Sequence, residues 1–315
     1  MRSWRVKRKK YLLIIIPLII AFCFFNIKSC EKNISIKQNP KIKLYLSKEK
    51  RVIELPLEEY ITGTVAAEMP ASFDLQALKA QAVAARSYTI KKILSEKAYP
   101  LGADVADDIN SCQAYISKEE YARRNPQNYE PLWDKVRQAV EETAGQIMVY
   151  KGEVIDALYH STCGGSTESA ADAWGQDVSY LRSVKCSYCQ ESNKYQTCQV
   201  FSQHDLRLIP GVNTDKKTII KISAKSATGR VKKLEINGIT ISGEKFRNAL
   251  NLPSTNWEFK SEKDKLIINS RGYGHGLGLC QYGADGMAKA GENYRGILKH
   301  YYSNIDFYQL QWKKD

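Results

Sequence analysis

Apolar and polar positions change their period several times along this chain, and each change marks an element. Lys41-Ile42-Lys43-Leu44-Tyr45-Leu46 alternates with period two and reads as a strand. Arg51-Val52-Ile53-Glu54-Leu55 reads as its partner across a Lys48-Glu49-Lys50 turn. Residues 57–68 read as a helix stopped by Pro70. A second helix over 75–94 starts at a cap supplied by Ser72 or Asp74. Its apolar stripe is Leu75, Leu78, Ala82, Ala85 and Ile90, and its alanines allow another element to come close.

Residues 96–130 are polar and read as irregular, with one strand expected at Ala114-Tyr115-Ile116. A helix over 132–143 stops at Gly145. Residues 146–150 and 154–159 read as a hairpin around Lys151-Gly152, which delivers His160 to a turn. A helix is expected within 195–208. Strands follow at 218–223, 231–236 and 239–241, with turns at Thr228-Gly229 and Asn237-Gly238. A short helix at 243–250, strands at 257–260 and 266–269, and a closing helix at 294–302 complete the pattern. Strands and helices intermix without steady alternation. The expected fold class is therefore α+β, with mixed sheets and helices rather than a doubly wound sheet.

The 315 residues suffice for one large domain or two small ones, and the net charge is +13. Part of that charge is one cluster: Arg2, Arg5, Lys7, Arg8, Lys9 and Lys10. An uncharged apolar run follows directly, and the next charge is Lys28. The pattern divides the chain into a cytoplasmic basic tail (1–10), a single transmembrane anchor (11–27), a tether (28–40) and an extracytoplasmic domain (41–315). A cleaved signal peptide needs small residues at the cut, where Phe22, Phe24 and Phe25 stand. A basic domain outside the cell is drawn to anionic wall polymers. That location and the lack of a recognisable motif exclude nucleic acid as a partner.

Three stretches carry candidate chemistry. In Val65-Ala66-Ala67-Glu68-Met69-Pro70 a carboxylate stands among small and apolar residues. Such surroundings strip hydration, favour the neutral acid and raise its pKa, which suits a general acid. In the second stretch, Gly272, Gly274, Gly276 and Gly278 alternate with Tyr273, His275 and Leu277. Alternate glycines suit a backbone passing close to a ligand or another strand. Tyr273 and Tyr282 offer ring faces for a sugar, and His275 and Gln281 offer hydrogen bonds to hydroxyl or N-acetyl groups.

The third candidate is a metal site. His160-x-x-Cys163 and Cys186-x-x-Cys189 have the two-pair form of a tetrahedral zinc centre, with Cys112 or Cys198 as substitutes for His160. An extracytoplasmic location argues for disulfides instead. Beyond Cys23 in the anchor, however, Cys30, Cys112, Cys163, Cys186, Cys189, Cys198 and Cys280 form an odd set that cannot pair completely. The zinc ion is expected to be structural, fixing a loop beside the substrate groove.

Taken together, Glu68-Met69-Pro70, the alanine-rich helix through Arg86-Ser87-Tyr88, Tyr159-His160-Ser161-Thr162-Cys163-Gly164-Gly165 and the alternating-glycine segment resemble the stage II sporulation protein D family. The resemblance covers nearly everything after the anchor. It implies a membrane-anchored lytic transglycosylase acting on peptidoglycan during forespore engulfment, with a preference for glycan stripped of stem peptides. It assigns the acid/base role to Glu68 and places Arg86, Tyr88, Tyr273, His275, Gln281 and Tyr282 at the substrate. It also implies a membrane-anchored sporulation amidase as partner, and a location between the mother-cell and forespore membranes. Amidase-enhancer proteins share the fold, so a non-enzymatic, wall-binding enhancer is the alternative. Asp74, Glu168 and Asp172 are the candidate second carboxylates for ordinary hydrolysis.

Overall fold

The period-two stretches form strands where the sequence places them. In the computed structural model, β2 (Lys41–Leu46) turns its Ile42 and Leu44 into the core and pairs antiparallel with β3 (Arg51–Pro56). The structure describes residues 33–36, 41–95, 99–202, 204–211, 218–262 and 265–312. The basic tail, the apolar anchor and most of the tether lie outside the described residues. No helix among the described residues is long and apolar enough to cross a membrane. Within the stretch read as a tether, β1 (Asn33–Ile36) is a strand.

Helix α1 (Leu57–Glu68) ends against Met69, whose backbone is extended before Pro70. Asp74, not Ser72, caps α2 (Leu75–Leu94): its Oδ1 accepts from the Gln76 N–H at 2.7 Å. The one-stripe reading of α2 understates its burial. Almost every residue from Ala77 to Ile90 is buried, as befits a helix enclosed on all sides. Its neighbours include α1 and, from later in the chain, α4 (Tyr129–Glu141) and β5 (Gln146–Tyr150).

The tract read as irregular holds β4 (Val105–Ala106), which pairs in parallel with β2, and α3 (Lys118–Arg124), capped by Ser117. The strand expected at Ala114-Tyr115-Ile116 does not form, because its amides go elsewhere. Ala114 N–H donates to the Glu68 carboxyl and Ile116 N–H to the Gly63 carbonyl. The expected hairpin is shorter than its pattern. Of residues 154–159, only those in β6 (Glu153–Val154) join the ladder to β5, and β7 (Tyr159–His160) leaves to pair in parallel with β14 (Leu279–Cys280). A short helix, α5 (Ala170–Trp174), follows β7.

Residues 195–208 are a strand, β8 (Gln196–Ser202), followed by a single 3-10 turn at Asp205–Leu208, rather than a helix. Thr197, Gln199 and Phe201 alternate with more exposed neighbours, and this period of two prevails. Two three-stranded antiparallel sheets enclose a second core around Leu234, Phe246, Trp257 and Ile268. One sheet is β9 (Ile220–Lys225), β10 (Val231–Ile236) and β11 (Ile239–Ser242), followed by α6 (Gly243–Ala249). The other is β12 (Trp257–Glu262), β13 (Lys265–Arg271) and β8.

The chain then returns to the first core through α7 (Gln281–Lys289) and α8 (Tyr294–Tyr301), both packed on α2. It ends in β15 (Asp306–Trp312), which inserts between β1 and β5. The result is a mixed α+β architecture of helices and several small sheets.

Candidate active site

A cleft of about 800 Å³ opens where α1, the segment from Cys112 to Ile116, β7, the glycine-rich segment and the start of α7 meet. Glu68 stands in its wall, half-buried, as the last residue of α1. Burial pushes its carboxyl above the ordinary carboxylate range, and the Ala114 N–H, donating to Oε1 at 2.7 Å, works against that rise. The side chains of Tyr159 and Gln281 meet the same carboxyl. Burial also holds the Tyr159 hydroxyl protonated far beyond the usual range of a phenol.

Five of the six expected substrate residues line this cleft with Glu68: Tyr88, Tyr273, His275, Gln281 and Tyr282. Tyr273 is 45 % exposed, with the Lys194 ammonium 5.1 Å from its ring centre. Tyr282 is braced edge-on by Phe73, with ring centres 4.9 Å apart. His275 is exposed and accepts from the Leu277 N–H at its Nδ1.

Arg86 does not reach the cleft. Its side chain is completely buried, ion-paired to Glu58, and donates to the carbonyls of Gln146 and Val140. The expectation of a substrate contact is corrected on that ground: Arg86 ties α2 to α1, α4 and β5.

The glycine-rich segment approaches protein rather than open space. Gly278 has φ +66°, and a Cβ there would stand 2.0 Å from the Leu158 carbonyl oxygen. Gly274 has φ +106° and faces the His160 Cβ in the same way. These positions let the segment lie against β7 and bring His275 within 5.6 Å of His160, centre to centre.

The thiols of Cys163, Cys186, Cys189 and Cys280 all lie within 4.8 Å of one another, and all four are buried. His160 is not a member of this group. Its Nδ1 donates to the Leu277 carbonyl at 3.0 Å, and Cys280 takes the place expected for it. Cys280 stands outside the two-pair spacing, as do Cys30, Cys112 and Cys198, and the β7–β14 pairing is what carries it to Cys163. Cys112 is half-buried in the cleft wall and Cys198 is exposed on β8. The four thiols fit a metal ion: tetrahedral Zn–S bonds of about 2.3 Å put neighbouring sulfurs about 3.8 Å apart, and Cys163 and Cys189 stand 3.4 Å apart. Tyr301 closes one side through a contact from its hydroxyl to Cys186.

The candidate second carboxylates are engaged elsewhere. Asp74 is the cap of α2, Asp172 pairs with Lys232, and Glu168 accepts from Ser226, Thr228 and the Ser169 amide. Among the described residues, Glu68 is the one carboxylate lining the cleft. Sequence reasoning missed Ala114, Tyr159 and Gln113 as neighbours of the acid. Tyr159 adjoins His160 in the motif that carries Cys163, but the others give no sequence signal.

A family model described as SpoIID, Stage II sporulation protein, matches residues 45–150. The chain is 37 % identical over 272 residues to Stage II sporulation protein D of Bacillus subtilis (strain 168), an alignment covering 85 % of this chain and 79 % of that protein. It is 34 % identical over 275 residues to Stage II sporulation protein D of Bacillus amyloliquefaciens, covering 86 % and 80 % respectively. It is 28 % identical to the Amidase enhancer of Bacillus subtilis (strain 168), across 77 % of this chain and 39 % of that protein. With likeness of this extent running through the cleft and beyond it, the chain belongs to the stage II sporulation protein D family.

Proposed function

We propose that the chain is a peptidoglycan lytic transglycosylase acting in sporulation, with Glu68 as its single acid/base. The observation that carries this reading is a half-buried carboxyl, raised by burial, which among the described residues is the one carboxylate lining a cleft that also holds Tyr273 and Tyr282. Hydrolysis of a glycosidic bond ordinarily needs two carboxyl groups. A lytic transglycosylase needs one, because the sugar supplies its own nucleophile. Glu68 gives its proton to the bridging oxygen as the bond from C1 of N-acetylmuramic acid to N-acetylglucosamine breaks. The resulting carboxylate takes the proton from the 6-hydroxyl of the same muramic acid, whose oxygen bonds to C1 and closes the 1,6-anhydro ring. Glu68 ends protonated and no water is consumed.

Tyr273 and Tyr282 stack on sugar rings, while His275 and Gln281 hydrogen-bond their substituents and Tyr88 lines the groove. Cys163, Cys186, Cys189 and Cys280 would hold a structural zinc ion, which supplies rigidity to the loop behind β7 and no reacting group. Residues 11–27 anchor the chain, and the domain 41–315 faces wall glycan between the two sporulation membranes, beside a membrane-anchored amidase. A second reading, a wall-binding enhancer of that amidase without activity of its own, is favoured by the relative named as an amidase enhancer.

The test is the purified full chain on denuded glycan strands without amidase. Anhydromuramic ends support the enzyme, and binding without cleavage supports the enhancer. Reducing ends derived from water would overturn the mechanism, as would full activity in Glu68→Gln.

A further inference from the structure

A second groove, of about 460 Å³, opens beside the cleft. Part of its lining comes from the same three segments that help build the cleft, a few residues along each. His160 and Ser161 line the cleft, and Gly164 and Gly165 the groove. Lys194 lines the cleft and Gln196 the groove, while Tyr273 lines the cleft and Arg271 the groove. Backbone hydrogen bonds hold these segments side by side: Tyr273 N–H donates to the Thr162 carbonyl at 2.7 Å, and Gly272 N–H to the Tyr195 carbonyl at 3.0 Å. Two residues of chain span at most about 7 Å, so the groove begins close beside Tyr273.

The order of side chains runs on from one to the other. Strands β8 and β13 pair antiparallel, with Gln196 opposite Arg271 and Cys198 opposite Asn269, and Asn269 in turn stands opposite Glu258 of β12. Just past the end of that ladder the Lys194 ammonium lies over the Tyr273 ring, 5.1 Å from its centre. Alternate residues of a strand share a face, and Gln196, Glu258, Asn269 and Arg271 are all exposed. Lys225, at the end of β9, and Thr228, in the turn after it, line the groove from the other sheet.

We propose that this groove is a distal subsite for the glycan strand that occupies the cleft, holding sugars further along it by hydrogen bonding rather than by stacking. This deepens, and rests on, the reading of the protein as an enzyme that cleaves wall glycan.

The Gln196 and Asn269 amides each donate and accept, Arg271 donates and Glu258 accepts, which matches the hydroxyl and N-acetyl groups of a sugar. The aromatic ring that lines the groove, Trp257, is buried and offers no face to stack on. Lys225 and Arg271 outnumber the carboxylate of Glu258, so the lining carries an excess of positive charge. That excess suits muramic acids whose lactyl carboxylates are free of peptide.

The experiment measures binding of denuded glycan fragments of graded length to the full chain in detergent, carrying Glu68→Gln so that strands stay intact. Affinity rises as fragments outgrow the cleft. Arg271→Ala weakens long strands about tenfold and leaves the shortest fragments that bind within a factor of about two, as loss of one hydrogen bond to a charged group requires. Lys225→Glu, on the other sheet, repeats the length-selective loss. Both side chains are exposed, and should one variant fail to fold the other decides. Equal loss at every length, no loss at all, or displacement of long strands by free stem peptide overturns the proposal. The binding requires no turnover. Length-selective binding by a protein that makes no anhydro ends with Glu68 in place would retain the groove and discard the transglycosylase. Anhydro ends with length-independent binding would do the reverse.

Discussion

Replacing Arg86 with Ala separates a structural cation from a substrate contact. The guanidinium is fully buried. Its Nε reaches Glu58 Oε1 at 3.0 Å, and its two terminal nitrogens donate to Gln146 O at 3.1 Å and Val140 O at 3.4 Å. Removing one member of a buried pair costs about 3–5 kcal/mol, because the other charge is stranded. Glu58 keeps 27 % of its side chain exposed and still accepts from the Gly145 N–H at 3.0 Å, so water and that amide retain part of its solvation. The loss therefore falls at the low end, about 3 kcal/mol, or roughly 6–12 °C in Tm for a chain of this size. Urea denaturation of wild type, Arg86→Ala, Glu58→Ala and the double variant measures both the loss and the coupling. The double variant should lose less than the sum of the single ones. Glycan affinity per folded molecule should stay within a factor of about two, well under the tenfold that 1.4 kcal/mol represents. An Arg86→Ala protein of wild-type stability that no longer binds glycan would refute the reasoning and return Arg86 to the groove.

Other outcomes follow from the same geometry. Glu68→Gln keeps the shape and should cut cleavage by about 10²- to 10⁴-fold with glycan binding intact, measured by product release and pull-down on the same strands. The native pKa of Glu68 is raised, so its stabilising contribution is complete below the unfolded value of about 4.3 and is lost as pH rises through the native value. Glu68→Gln should accordingly melt above wild type at pH 7, with the gap closing below about pH 4; a variant less stable at pH 7 would contradict the burial argument. Gly278→Ala places a Cβ against the Leu158 carbonyl at positive φ and should destabilise by about 2 kcal/mol or more, read by thermal melts. Metal analysis should return one zinc per chain, lost in Cys280→Ser with a fall in Tm; full metal content in that variant would remove Cys280 from the site.

Local chemistry made the fold legible from β2 through α2. Pro70, the Asp74 cap and the alternation in β2 and β3 each act within a few residues, so spacing alone places α1, α2 and their hairpin. Distant pairings left no such mark. The partners of β15 and β7 lie more than a hundred residues away, and each needs a register that only the assembled core supplies. The same distance hid Cys280, because a two-pair motif counts neighbours in sequence and this ligand arrives on β14. Arg86 misled for a different reason. A charged residue in a family motif suggests a ligand contact, whereas its burial depends on Glu58, 28 positions earlier. The acid itself was legible, but its surroundings were not: Ala114 contributes a backbone hydrogen, which no side-chain pattern encodes.

The position of Glu68 follows from three consecutive residues. Pro70 disfavours a helical conformation at the residue before it, and Met69 is extended, with φ −128° and ψ 137°. Helix α1 must therefore stop at Glu68, leaving a carboxyl at the end where unpaired carbonyls concentrate negative potential. That potential adds to burial in favouring the protonated acid. Without a counterweight the carboxyl would hold its proton too tightly for the proposed transfer to a weakly basic glycosidic oxygen. The Ala114 N–H at 2.7 Å, Tyr159 and Gln281 supply that counterweight, and all three reach the acid from segments distant in sequence. The proposed reaction, in which Glu68 gives a proton and then takes one, needs this balance, since either influence alone would fix one protonation state. Local sequence sets the acid against ionising, and tertiary structure restores enough stabilisation of the anion for the proton to move.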